Sequence, residues 1–153
     1  MSSLDSLFVE LREELDRLPS EHGGAAFDRV LDTIAKSEDP QIIGRLCGFF
    51  VDDQPGDEVL WSVLHVIEHF DGPVYIKELL RASPSLAERS HEWATRLFIR
   101  VLNSEPRRDE LAEQVRSSSE AVRAAVLTIM HRIDQDAPSE FDAKMAPVLA
   151  RLA

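Results

Sequence analysis

The sequence predicts an all-α protein of about nine helices, packed as stacked antiparallel pairs in a short HEAT-like or armadillo-like array. Three observations support this prediction. Apolar residues recur at spacings of three and four, the period of one helix face. No segment sustains the alternation of apolar and polar residues that is typical of a half-buried strand. Proline is tolerated in the first turn of a helix, where the N–H groups lack intrahelical partners. Five prolines lie at predicted helix starts: Pro40, Pro73, Pro84, Pro106 and Pro138.

The first four helices are predicted from apolar stripes and from residues that favour helix ends. Ser3 is a suitable N-cap for the first helix, and Pro19 ends its apolar stripe. Pro40 opens the third helix, and Asp57 and Glu58 lie in the first turn of the fourth. The four predicted ranges are 3–18, 25–36, 40–51 and 57–70.

The remaining five helices are predicted mainly from prolines and serines at their starts. The fifth is short and ends near Ala82, whereas the sixth is long and ends near Leu102. Helices of this length joined by short turns favour antiparallel neighbours, and nine of them exceed a four-helix bundle. The predicted starts are Pro73, Pro84, Pro106, Ser118 or Ser119, and Pro138.

Length and composition predict one cytoplasmic domain, residues 1–153. A chain of this length can bury a sizeable core. Its one cysteine, Cys47, excludes a disulfide within the chain and lies in an apolar run, where it is expected to pack as a small core residue. No basic segment followed by an apolar one begins the sequence, and no apolar run approaches the roughly 20 residues that span a bilayer.

The whole excess of acidic charge lies in the first half of the chain. The net charge is −11, and residues 1–72 contain sixteen acidic residues against five basic ones, whereas 73–153 contain twelve of each. A one-sided acidic field repels nucleic acid and anionic membranes, and it attracts basic partners and speeds their encounter. Simple solubility is the alternative explanation.

One motif, His65-Val66-Ile67-Glu68-His69, matches the H-x-x-E-H string of inverted zinc peptidases. Histidines at i and i+4 share a helix face and can share a metal, with the glutamate beside them to activate water. However, a catalytic zinc needs a third protein ligand, and no downstream residue is marked for it. Surface histidines are therefore the favoured interpretation, and we expect no metal and no cofactor.

The fourth helix also suggests a protein-binding surface. Its apolar residues form one broad face, and Trp61 falls among acidic residues on the other side. Trp61 is either covered by a neighbouring helix or an exposed aromatic anchor ringed by acid, which is the composition of a binding hot spot. Capping explains Asp57 and Glu58 but does not require the acidic pair before them. The candidate partner-binding residues are Asp52, Asp53, Glu58, Trp61, Glu68 and Asp71.

The tryptophan and the arginines of the predicted sixth helix are expected to have structural roles. Trp93 lies among apolar residues and is expected in the core. Beside it, Arg89, Arg96 and Arg100 are expected to pair with acidic residues of neighbouring helices. No glycine-rich phosphate loop, zinc-finger spacing or supported nucleophile–histidine arrangement appears in the sequence, so no catalytic residue is predicted.

The middle third of the chain resembles a known class of proteins. The segments 70–76, 79–84 and 93–97, followed by Leu102-Asn103, are similar to bacterial immunity proteins of polymorphic-toxin and contact-dependent inhibition systems. The resemblance implies a small acidic cytoplasmic protein that binds and neutralises a cognate toxin domain, often a nuclease. Many such proteins are all-helical. The resemblance assigns no individual site residue.

The leading functional hypothesis is therefore an immunity protein whose acidic half docks on a basic toxin, with no enzymatic activity. A HEAT-like scaffold or adaptor of a cytoplasmic complex is the alternative, and a small metallopeptidase is a distant third. Neither nucleic acid nor membrane is expected as a partner. The sequence leaves the oligomeric state and the identity of the toxin open.

Overall fold

A computed structural model describes residues 3–20 and 23–153. Within these residues every regular element is a helix, and no strand is present, which confirms the all-α prediction. The helices are α1 (Leu4–Asp16), α2 (Ala25–Ala35), α3 (Gln41–Cys47), α4 (Glu58–Glu68), α5 (Gly72–Arg89), α6 (His91–Leu102), α7 (Glu105–Val115), α8 (Glu120–Asp136) and α9 (Asp142–Leu152).

Two serines cap helices as the sequence indicates. The Ser3 hydroxyl accepts a hydrogen bond from the Ser6 backbone N–H (3.2 Å), and that of Ser119 accepts one from the Val122 N–H (3.3 Å). Each bond satisfies a first-turn donor that has no partner within its helix. Asp57 takes the N-cap position of α4, but its side chain makes no capping hydrogen bond.

The predicted break at Pro84 is wrong, because Pro84 lies inside α5. Proline cannot donate to the carbonyl four residues earlier, which here belongs to Leu80. The buried Ser83 hydroxyl donates to that carbonyl instead (2.6 Å). The side chain next to the proline thus satisfies the carbonyl that the proline leaves unpaired, and the boundary between α5 and α6 falls at Ser90.

The predicted start at Pro138 is also wrong. Pro138 lies in the turn after α8, and α9 begins only at Asp142. Within this turn Ser139 has a left-handed backbone (φ 66°), and its N–H donates to the Asp134 carboxylate (3.2 Å). The turn therefore has local structure of its own, and the proline belongs to it.

The helices stack in a repeat-like manner. Helices α3, α5, α7 and α9 contact one another in succession, and α2 contacts α4 as α6 contacts α8. Contacts between each helix and the helix two positions further along the chain are typical of arrays of helical repeats. One cluster of buried apolar residues extends through the molecule from Phe8 to Val148.

The core includes both residues that the sequence assigned to it. Trp93 is 1% exposed, and Cys47 is fully buried. Burial raises the pKa of the Cys47 thiol to about 12, although the nearby Arg89 guanidinium opposes this shift. The thiol is therefore neutral and packs as a small apolar group. In the described part of the chain, no helix is long and apolar enough to cross a membrane.

Candidate functional site

Helix α4 presents an exposed ridge between α6 on one side and α2 on the other. Its opposite face is buried and holds Val59, Leu60, Val63, Leu64 and Ile67. We define the α4 ridge as its exposed residues and the residue that follows the helix. They are Glu58, Trp61, His65 and His69.

Trp61 is both packed and exposed. Its ring meets the ring of the buried Trp93 of α6 edge to face, with centroids 5.1 Å apart and planes at 62°. The Arg96 guanidinium lies 4.7 Å from the Trp93 ring centroid and 5.8 Å from that of Trp61. Even so, 38% of Trp61 remains accessible. Helix α6 therefore holds one side of the indole in place and leaves the rest open to a partner.

Asp52 has a structural role that the sequence did not indicate. Its two carboxylate oxygens accept hydrogen bonds from the backbone N–H groups of Glu92 (3.1 Å) and Trp93 (3.2 Å). These groups lie in the first turn of α6, so Asp52 caps that helix from the loop before α4. Asp53 beside it is exposed and has a left-handed backbone (φ 60°).

Glu68 is likewise engaged within the molecule. Its carboxylate oxygens accept two hydrogen bonds from the Arg100 side chain of α6, at 2.7 and 2.9 Å. The hydrogen bond to Glu68 raises the pKa of Arg100 above its ordinary value, against an opposing effect of partial burial. Arg107 donates to the backbone carbonyls of Glu68 (2.6 Å) and Phe70 (3.2 Å). Glu68 thus ties α4 to α6 and is not a free surface carboxylate.

The arginines expected to pair with neighbouring helices behave differently from one another. Arg100 pairs with Glu68 as predicted, whereas Arg96 lies 3.9 Å from Glu92 of its own helix.

Arg89 donates to the carbonyls of Phe50 (2.8 Å) and Cys47 (3.1 Å), so it caps the C-terminal end of α3. Its partners are backbone carbonyls and two serine hydroxyls, rather than acidic side chains.

The H-x-x-E-H motif has a geometry unlike that of a metal site. His65 and His69 are exposed, and both carboxylate oxygens of Glu68 are hydrogen-bonded to Arg100. Across residues 3–20 and 23–153, no group of three or more potential ligands is close enough together to hold a metal. The motif residues therefore contribute surface and an inter-helix ion pair.

On the other side of the ridge lies an open groove between α2 and α4, with a volume of about 920 Å³. Apolar side chains form its inner part, chiefly Leu31, Val66 and Phe70. Acidic side chains from both of its sides line it. We call it the α2–α4 groove, and its acidic residues are Asp28, Asp32, Glu38 and Asp71.

The groove contains residues that the sequence analysis missed. Asp28 and Asp32 are four apart on α2 and so share a face, a spacing that the sequence does show. What it does not show is that this face lies opposite α4. Of the six predicted binding residues, only Asp71 lines the groove, whereas Asp52, Trp61 and Glu68 contact α6.

The basic residues of the first half are mostly engaged elsewhere. Arg12 stacks on the Phe49 ring (4.1 Å), Arg45 pairs with Asp5 (2.7 Å), and Arg17 pairs with Glu14. The one lysine of this half, Lys36, lies in the groove lining. The acidic character of the groove is thus only partly offset.

The sequence model of the family described as Immunity protein 30 matches residues 14–111, more than half of the chain. The matched segment contains α4 together with the helices on both of its sides. No curated protein and no solved structure matches the chain significantly.

Proposed function

The chain belongs to the Immunity protein 30 family, and from this premise we propose that it neutralises a cognate toxin domain by binding to it stoichiometrically. The family assignment confirms the resemblance noted in the sequence and implies a toxin as partner. It also implies a role that is not enzymatic. The nature of the toxin and the surface that it contacts are the parts that we propose.

The partner that we propose is a basic toxin of the nuclease type. A nuclease must hold phosphate, so its substrate-binding surface is basic, and an acidic protein can occupy the same surface. The observation that supports this choice is the confinement of the −11 net charge to residues 1–72, the part of the chain that contains α1 to α4. The same field disfavours nucleic acid and anionic membranes as partners. A cytoplasmic location is part of the proposal.

We further propose that the toxin docks on the α4 ridge and the acidic residues around it. The six predicted residues then divide into two roles. Asp53, Glu58, Trp61 and Asp71 are exposed and available for contact. Asp52 and Glu68 position the surface, because they fix α6 against the loop before α4 and against α4 itself.

Replacing Trp61 with alanine tests this surface. Trp61 is aromatic, partly exposed and held by its neighbours, which are properties of a hot-spot residue. We expect Trp61→Ala to weaken toxin binding by about 2–4 kcal/mol. The loss of the aromatic pair and of the buried part of the indole should lower the free energy of unfolding by about 2–4 kcal/mol, so stability and affinity are measured separately. Calorimetric titration with an inactivated form of the cognate toxin domain measures the first quantity, and urea unfolding measures the second.

Leu127 on α8 provides a matched control, because it is 37% exposed, nearly as much as Trp61. Leu127→Ala should change toxin affinity by less than about 0.5 kcal/mol. If Trp61→Ala binds as tightly as the wild type, or if both variants lose the same affinity, the α4 ridge is not the docking surface.

A further inference from the structure

The α2–α4 groove combines an apolar floor with an acidic rim. Leu31 is buried at its base, and Val66 and Phe70 are half-buried beside it. Four carboxylates line it against one lysine, with two histidines on the α4 side. Such a lining suits an occupant that is apolar on one face and positively charged on the other.

One carboxylate of the rim lacks a partner. Asp28 Oδ1 is shielded from solvent and has no hydrogen bond within the described residues. A shielded polar atom without a partner is unfavourable and is seldom found without a reason. Because Asp28 lines the groove, a donor placed in the groove by a partner can satisfy this oxygen.

We infer that the groove receives a basic amphipathic segment of the toxin, with an apolar side chain on the floor and lysine or arginine side chains at the acidic rim. This inference rests on the proposed toxin-binding function and adds the chemistry of the docking segment. The charge of the rim selects a basic peptide over an anionic ligand, since Lys36 is the one lysine or arginine in the described lining against four carboxylates. The volume of about 920 Å³ has room for several side chains at once.

The groove continues into the α4 ridge, so one partner can cover both. His65 lines the groove, and its Nδ1 lies 3.9 Å from Oε1 of Glu68, which pairs with Arg100 on the opposite side of α4. Asp71 is likewise both a groove residue and a member of the acidic set around the ridge. A toxin seated over the exposed face of α4 would therefore contact Trp61 on one side and the groove on the other.

The test compares two charge-reversal pairs of equal size in the same half of the chain. Asp32→Lys with Glu38→Lys changes the groove alone, whereas Glu13→Lys with Asp16→Lys changes exposed α1 residues outside it. Each variant is titrated with the inactivated cognate toxin domain at physiological salt. We expect the groove pair to lose on the order of 30-fold or more in affinity and the α1 pair less than about threefold. Unchanged helical circular dichroism and thermal midpoints verify that both variants fold.

A second variant separates binding from folding. Asp28→Asn keeps the shape of the side chain but removes the charge of its carboxylate. We expect the thermal midpoint of the free protein to change by less than about 2 °C, because the amide has the same shape and leaves the shielded atom equally without a partner. The same change should weaken toxin binding about tenfold. A purely structural role would lower the thermal midpoint and leave toxin affinity unchanged.

The outcomes of these titrations distinguish failure of the groove inference from failure of the proposed toxin-binding function. Equal losses in the two reversal pairs would show that only the diffuse acidic field matters, and an unaffected groove pair would show that the toxin docks elsewhere. Either result overturns the groove inference while toxin binding by the wild type stands. If the wild type itself fails to bind the toxin domain, the proposed function is overturned, and the groove inference with it. Hydrogen exchange on the wild-type complex should show protection of residues 28–36 and 62–71.

Discussion

Some side chains of the predicted binding surface are hydrogen-bonded to residues far away in the sequence, and these contacts decide their roles. Asp52 caps a helix that begins about 40 positions later, and Glu68 pairs with an arginine 32 positions away. The sequence identified both as acidic residues near Trp61, but charge alone does not reveal a backbone donor on another helix. Trp61 is neither fully covered by a neighbouring helix nor fully exposed, because α6 covers part of the ring and leaves 38% of the residue accessible.

The capping role of Asp52 gives a prediction about stability. Asp52→Ala removes the carboxylate that accepts from two N–H groups at the start of α6. We expect the free energy of unfolding to fall by about 1 kcal/mol, and by up to about 2 kcal/mol, since N-cap residues contribute this much. Urea unfolding followed by circular dichroism measures it.

Asp57 provides the comparison for Asp52, since it is exposed and its side chain makes no capping hydrogen bond. Asp57→Ala should lower the free energy of unfolding by less than about 0.5 kcal/mol. Equal effects of the two substitutions would contradict a specific capping role. The comparison also shows why reversing the charge of Asp52 is a poor test of binding, because it would disturb α6.

At the scale of elements, apolar periodicity located the helices, and proline was a less dependable guide to their ends. Pro40, Pro73 and Pro106 do lie at helix starts. Pro84 is tolerated inside α5 because the Ser83 hydroxyl donates to the Leu80 carbonyl, to which the proline cannot donate. This compensation depends on a side-chain conformation, which helix rules based on residue type do not include.

The compensation at Pro84 is testable with a double-mutant cycle. Ser83→Ala leaves the buried Leu80 carbonyl without a donor, so we expect the free energy of unfolding to fall by about 1–3 kcal/mol. Pro84→Ala restores the N–H that a regular helix supplies to this carbonyl. In the Pro84→Ala background, the effect of Ser83→Ala should therefore shrink to below about 0.5 kcal/mol. Chemical denaturation of the four proteins gives the coupling energy, and a coupling near zero would refute the explanation.

For the whole molecule, composition and periodicity were enough to predict an all-α fold and an uneven charge distribution. The continuous apolar cluster from Phe8 to Val148 supports our proposal that residues 1–153 form one domain. The relation to HEAT or armadillo repeats stays a prediction. The α2–α4 groove could not be predicted, because Asp28 and Asp71 meet only through the packing of α2 beside α4.

Stoichiometric neutralisation of a toxin by this chain can be measured directly by titrating toxin activity. The active cognate toxin domain is held at a concentration well above the dissociation constant, and the purified chain is added in steps. A binding inhibitor predicts a linear fall in toxin activity that reaches its floor at one equivalent. Full toxin activity at several equivalents would show that the chain does not neutralise the toxin. Complete loss of toxin activity at a small fraction of one equivalent would indicate an enzyme and would contradict stoichiometric binding.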